Sequence, residues 1–237
     1  MSEDMNIMGW LQGLFEISAT AKHSVGTLRM THDGRKFRYA KAGGTIVAGN
    51  ANVAAQANAD HVDETCAAAS VGDTQLTLTV TAGTAIAADN LAGGFLAIAD
   101  GGPHYLIDSN TAIDGSGTSI TITLAEAIRV ALTTSNEFSL FANPWMDVTE
   151  SSTDENFCTG VAPVAVTDNY YFWCQTGGCA NALILNTPAV GSNLIYSPSG
   201  ALAVIAASVD VDVPIVGHMW GSAGVNGDYG SVFLTID

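Results

Sequence analysis

The chain has 237 residues, 48% apolar and only 13% charged, with seven Lys or Arg against 23 Asp or Glu and a formal net charge of −16. That length and apolar share exclude general disorder, and they suffice for one large all-β domain or two small ones with no metal or disulfide needed for folding. The acidic balance argues against unaided nucleic-acid binding, and no run of 18 apolar residues is present to cross a membrane as a helix.

Charge is unevenly distributed. Lys22, Arg29, Arg35, Lys36, Arg38 and Lys41 face only Glu3, Asp4, Glu16 and Asp33 in the first 41 residues, which therefore carry about +2. Residues 42–237 hold Arg129 and the other 19 acids, about −18. Acids keeping a Lys-poor surface soluble are the simple reading. The sharper one is a basic N-terminal part that docks on an acidic surface, its own or a neighbouring subunit's. Contact of that kind would weaken as salt rises. The opening Ser2-Glu3-Asp4 lacks the basic residues of a secretory signal.

In chain order, residues 1–24 read as an N-terminal arm. Ile7, Met8, Trp10, Leu11, Leu14, Phe15 and Ile17 recur at roughly helical spacing, with Gly9 and Gly13 weakening the helix. Such an arm packs either on its own domain or on a neighbour. A hairpin follows, with strands Val25–Met30 and Arg35–Lys41 about an Asp33-Gly34 turn. Phe37 and Tyr39 then share one face, and Lys36 and Arg38 the other. Residues 51–70, rich in Ala and Asn, read as irregular.

From 71 to 142 the pattern is β. Leu76, Leu78 and Val80 alternate with threonines, and Ile120, Ile122 and Leu124 do the same. Phe95–Ile98, Tyr105–Ile107 and Glu137–Phe141 complete five strands, enough for a small barrel or sandwich. After Asn143-Pro144-Trp145 and an acidic loop at 147–156, strands resume at Val164–Val166, Tyr170–Gln175, Ala182–Leu185, Leu194–Tyr196 and Ala201–Ala206. Val209–Val213, Val216–Trp220 and Val232–Ile236 end the chain. The fold class is all-β: arm and hairpin, an inserted β-barrel or sandwich module at 71–142, and a main β domain from 25–70 with 143–237.

Motifs for chemistry are sparse. HExxH, GxSxG, the P-loop and GxGxxG are all absent from the sequence. Cys66, Cys158, Cys174 and Cys179 form no CxxC pair and read as free thiols, although a Cys174–Cys179 bridge across a Gly177-Gly178 turn is an alternative. His61, Asp63 and Glu64 make a candidate ligand cluster, with loop solvation the simpler reading. Asp108, Asn110 and Asp114 only partly match a calcium loop, since Ala112 stands where a ligand belongs. Asp210 and Asp212 share a strand face about 7 Å apart, a spacing paired carboxylates can use, although solvated aspartates have the same pattern. In Tyr170-Tyr171-Phe172-Trp173, alternation sends Tyr170 and Phe172 one way and Tyr171 and Trp173 the other. That predicts a strand buried on both sides, in a core or at a subunit interface. A carbohydrate platform is the other use of such a run.

Three stretches carry a family resemblance. They are Gly34–Gly44 (GRKFRYAKAGG) with Ile46 and Ala48-Gly49-Asn50; Leu91–Phe95 (LAGGF) through Ile128–Leu132 (IRVAL) to Asn143-Pro144; and Gly160–Trp173 (GVAPVAVTDNYYFW) with the closing Tyr229–Ile236 (YGSVFLTI). In these the chain resembles structural proteins of tailed bacteriophages, especially marine ones. The resemblance implies a virion protein with no catalytic residues, no cofactor and no metal. It is expected to be a decoration or cement protein on the capsid surface, assembled in the host cytoplasm. Its partners would be the major capsid protein and its own copies, as a homotrimer, with neither nucleic acid nor membrane. A tail, connector, receptor-binding or glycan-binding station is the alternative. The residues expected to touch a partner are Trp10, Leu14 and Phe15 of the arm, Arg35 and Arg38 of the hairpin, and Tyr171 and Trp173 of the aromatic strand.

Overall fold

Period-two alternation of branched and aromatic side chains with Thr, punctuated by Gly, leaves this chain few ways to fold except as strands. The structure, a computed structural model, describes residues 9–55, 59–83, 85–99, 103–151, 157–205 and 213–237. The first three strands are β1 (Leu28–Met30), β2 (Lys36–Lys41) and β3 (Ala51–Val53). Next come β4 (Glu64–Thr65), β5 (Gln75–Thr79), β6 (Phe95–Ile98), β7 (Tyr105–Asn110), β8 (Ser119–Leu124) and β9 (Glu137–Phe141). The last six are β10 (Cys158–Val161), β11 (Tyr171–Leu185), β12 (Asn193–Ser197), β13 (Ala201–Val204), β14 (Ile215–Met219) and β15 (Tyr229–Thr235). The chain divides into one compact unit of Met1–Ala55 with Pro144–Asp237 and a second of Gln56–Asn143.

In the second unit the sheet order is β4-β9-β6-β7-β8-β5, and a bridge from Cys66 to Leu78 joins the ends of the curl. Alternation decides which side faces in: Leu76 and Leu78 are buried, while Gln75, Thr77 and Thr79 are exposed. With Leu96, Ile107, Ile120, Ile122 and Phe138 they form one core. Each such side chain contributes about 1.5–3 kcal/mol by leaving water. This unit starts at Gln56, earlier than the division at 71 read from the β pattern. The reason is pairing: β4 takes its hydrogen bonds from β9, which ties residues 64–66 to this sheet.

In the first unit β11, β13, β12, β14 and β15 close on themselves, because β15 pairs with β11 as well as β14. This five-stranded barrel encloses Ala182, Ile184, Leu194, Tyr196, Leu202, Val216, Val232 and Leu234. The N-terminal half of β11 leaves the barrel to pair with β2, from Tyr171 opposite Lys41 to Gly177 opposite Lys36. Gly177-Gly178 is therefore no turn but the interior of one strand, at a register shift. Gly178 has φ +79°, and a Cβ there would come within 3.1 Å of the Arg35 Cα. Glycine suits both the left-handed backbone and that close approach, and the kink lets one strand serve two sheet partners.

Other expectations need correction. Residues 9–18 form bends and a turn, with no helix; Gly13 donates its N–H to the Glu16 carboxylate at 2.8 Å instead. Val164–Val166 provides only a bridge from Val166 to Ile46, and the strand in that region is β10. The stretch from 51 begins with a fully buried strand, β3. Residues 209–212, including Asp210 and Asp212, lie outside the described residues, as do Ile7 and Met8.

Candidate functional site

The hairpin forms as its sequence dictates, with β1 paired to β2 around the Thr31–Arg35 turn. Phe37 and Tyr39 point to one face, where with Trp173 and Leu14 they build an aromatic core under the arm. The arm is fastened there by Gln12. Its Nε2 donates to the carbonyls of Glu16 (2.8 Å) and Tyr171 (3.0 Å), and its Oε1 accepts from the Tyr39 hydroxyl at 2.6 Å. Its own carbonyl accepts from Arg29 Nη1 (3.0 Å) and from the Trp173 indole (3.2 Å). The Arg29 guanidinium lies 4.9 Å from the Trp10 ring centre and 5.4 Å from that of Trp173. His23 packs among Trp10, Tyr39 and Trp173. Burial, helped by the Arg29 charge, holds its pKa below the usual histidine range.

The seven residues expected at a partner interface meet different fates. Trp173 is fully buried and Leu14 nearly so, both within this chain's own core. Tyr171 stacks on Tyr39, and Trp10 packs edge-on against Trp173. The aromatic strand is buried on both faces as alternation implies, with Phe172 in a separate cluster beside Ala40, Val166 and Cys174. The aromatic face is thus covered within one chain, by the arm, with no neighbouring subunit required.

The hairpin cations are likewise answered internally. Arg38 Nε and Nη2 donate to the Asp237 carboxylate at 2.6 and 3.0 Å, and Lys36 Nζ donates to the main-chain oxygen of Asp237 at 2.8 Å. Lys41 pairs with Asp147 and Arg35 with Asp33, each at 2.8 Å. Hydrogen bonds from Arg38, with the Arg38 and Lys36 charges, hold the Asp237 carboxyl below the usual carboxylate range. Lys36, Arg38 and Lys41 thus find partners in Asp237 and Asp147 of this same chain.

The arm also turns apolar side chains outward. On the arm, Leu11 (72% exposed), Phe15 (61%) and Ile17 face away from the anchoring side chains. Phe15 and Arg35 meet in a groove of about 750 Å³ that runs on to Val47, Asn181, Trp220 and Tyr229. The Tyr229 ring rests on Gly49, whose φ is +81° and whose Cβ would come within 2.5 Å of it. Neither Trp220 nor Val47 was singled out by sequence reasoning. Trp220 continues β14, and only the barrel's closure shows which of its sides is outside.

The other candidates do not converge. Among the described residues no group of three or more His, Cys, Asp or Glu side chains is placed to hold a metal ion. His61 is buried, with burial lowering its pKa, while Glu64 accepts from the Thr81 hydroxyl at 2.5 Å. Asn110 bonds the main chain at Ala87, Leu91 and Thr111, and Asp114 caps its own turn at Ser116 and Gly117. All four cysteines are free; Cys179 is exposed, and Cys174 is buried, so no bridge joins them. Burial pushes the Cys158 thiol up to about 12 and that of Cys174 higher still. Among the described residues no helix is long and apolar enough to cross a membrane.

These features define a two-unit all-β protein, one unit a closed barrel carrying a fastened arm. No protein-family model matches the chain, no curated protein is similar to it, and no solved structure matches its fold.

Proposed function

We propose that this chain is a non-catalytic structural protein of a tailed-phage virion, a decoration protein that binds the major capsid protein and stabilises the head. The observation that supports this reading best is the arm. Gln12 and Leu14 fix it to the barrel unit while Leu11, Phe15 and Ile17 stand in water. Large apolar side chains held outward on a fixed frame are the ordinary make-up of an adhesive surface. Repetition over a lattice then turns modest single contacts into firm attachment. Because the hairpin cations are already paired within the chain, attachment through the arm depends little on salt, contrary to the expectation from charge count alone.

The test is co-sedimentation of the purified chain with heads that lack it. Wild type should pellet with heads at low and high salt. A variant carrying Leu11→Ser, Phe15→Ser and Ile17→Ser should stay in the supernatant while unfolding at an unchanged midpoint. Equal pelleting of the two would overturn the assignment of the arm, and failure of wild type to pellet would overturn the function. A tail or connector station is the alternative reading, separated by copy number.

A further inference from the structure

We infer that the groove beside the arm is a binding site for a neutral oligosaccharide. The inference does not rest on the capsid reading, since it follows from the composition and geometry of the groove alone. Trp220 and Tyr229 line it with half-exposed aromatic rings, 52% and 45% accessible. Between them lies a polar pair: Asn181 on β11 sits directly opposite Ser231 on β15, and both are exposed. The main-chain N–H of Trp220 donates to the Ser231 carbonyl at 3.0 Å, which seats the tryptophan at one end of that pair. Tyr229 is two residues along the same face of β15, about 7 Å from Ser231 by strand rise. Two rings thus flank a carboxamide and a hydroxyl on a rigid barrel wall.

Each property of this surface narrows the ligand. Among the described residues lining the groove none is Asp or Glu, although the chain carries 23 such residues, and its single cation, Arg35, is held by Asp33. With that pair the lining carries no net charge, so it does not select for a charged ligand. An extended peptide added as a strand would need an open main-chain edge, but β15 is paired on both sides, to β11 and to β14. A second copy would bring two chains of −16 together. A sugar chain needs none of these. Its apolar ring faces cover the aromatic side chains, and its hydroxyls exchange hydrogen bonds with carboxamide and hydroxyl groups. The volume, about 750 Å³, lies within the range of small-molecule sites. Gly49 leaves room for the Tyr229 ring, since a Cβ there would come within 2.5 Å of it.

The experiment titrates the purified full chain with neutral hexasaccharides of glucose, galactose, mannose and N-acetylglucosamine, read by tryptophan emission and calorimetry. At least one should bind with a salt-independent constant. Trp220→Ala and Tyr229→Ala should each weaken it about tenfold or more, with thermal midpoints near that of wild type. Asn181→Ala, which leaves both rings in place, should weaken it less. Three results would overturn the inference: no response from any sugar up to roughly 10 mM, equal binding by wild type and Trp220→Ala, or self-association of wild type that Trp220→Ala abolishes. Because no virion particle enters the assay, its failure leaves the capsid reading standing, and the reverse holds as well.

Discussion

Gln12 is the joint on which the arm depends, and replacing it by alanine isolates that role. The wild-type side chain makes three hydrogen bonds, to Glu16, Tyr171 and Tyr39, in a place where it is 3% exposed. At about 0.5–1.5 kcal/mol net for each, Gln12→Ala should cost the arm's attachment about 2–4 kcal/mol. The barrel core is a separate set of side chains, so the loss should be felt locally. The main-chain carbonyl of residue 12 still accepts from Arg29 and Trp173, which keeps the variant's arm partly attached. The assay is native-state proteolysis between residues 10 and 24, where a loss at the lower bound raises cleavage about 30-fold when opening is in fast equilibrium. Tryptophan emission should shift to the red as water reaches Trp173. Gln12→Glu keeps the acceptor for Tyr39 but loses both donors, and should open the arm as well. If Gln12→Ala is cut no faster than wild type, the arm is not held by this joint and the reasoning fails.

Three further predictions follow from the packing. Gly49→Ala should destabilise the chain by about 1–3 kcal/mol in urea unfolding, since the new methyl needs a left-handed backbone and the space beneath Tyr229; an unchanged midpoint would contradict it. Native protein should react with a thiol reagent at Cys179 only, and Cys66, Cys158 and Cys174 should react after denaturation. Stability should fall on acidification in two stages. His23, whose folded pKa is depressed, withdraws its contribution as pH drops below about 6.5. Asp237, also depressed, contributes fully above the usual aspartate value and withdraws its share as pH falls through that value toward its folded one. Asp237→Asn should flatten the second stage in a pH series of thermal midpoints, and an unaltered profile would show that Arg38 and Lys36 do not gain from this partner.

The strands most legible in the sequence are those where alternation is clean and one face is wet. Leu76 and Leu78, or Ile120 and Ile122, announce both their strand and their buried side. The aromatic run was readable for a different reason, consecutive bulky groups that leave neither face of the strand to water. Two features were not. β3 is buried throughout but consists of Ala51, Asn52 and Val53, whose composition matches a loop. Gly177-Gly178 has the local signature of a turn, yet long-range pairing to β2 and β15 keeps the chain extended there. Likewise the arm's apolar spacing suggested a helix, but Gln12 binds a strand carbonyl far along the chain, a contact that no local rule encodes. Of the candidate site, Phe15 and Arg35 were legible as an apolar and a basic residue expected at a partner interface. Trp220, Val47 and Tyr229 join them only through closure of the barrel.

The most direct measurement is the ratio of this chain to the major capsid protein in purified virions, by quantitative mass spectrometry. A decoration protein should be present in hundreds of copies, in fixed proportion to the shell lattice. Its absence from particles, or a handful of copies in each, would contradict that role.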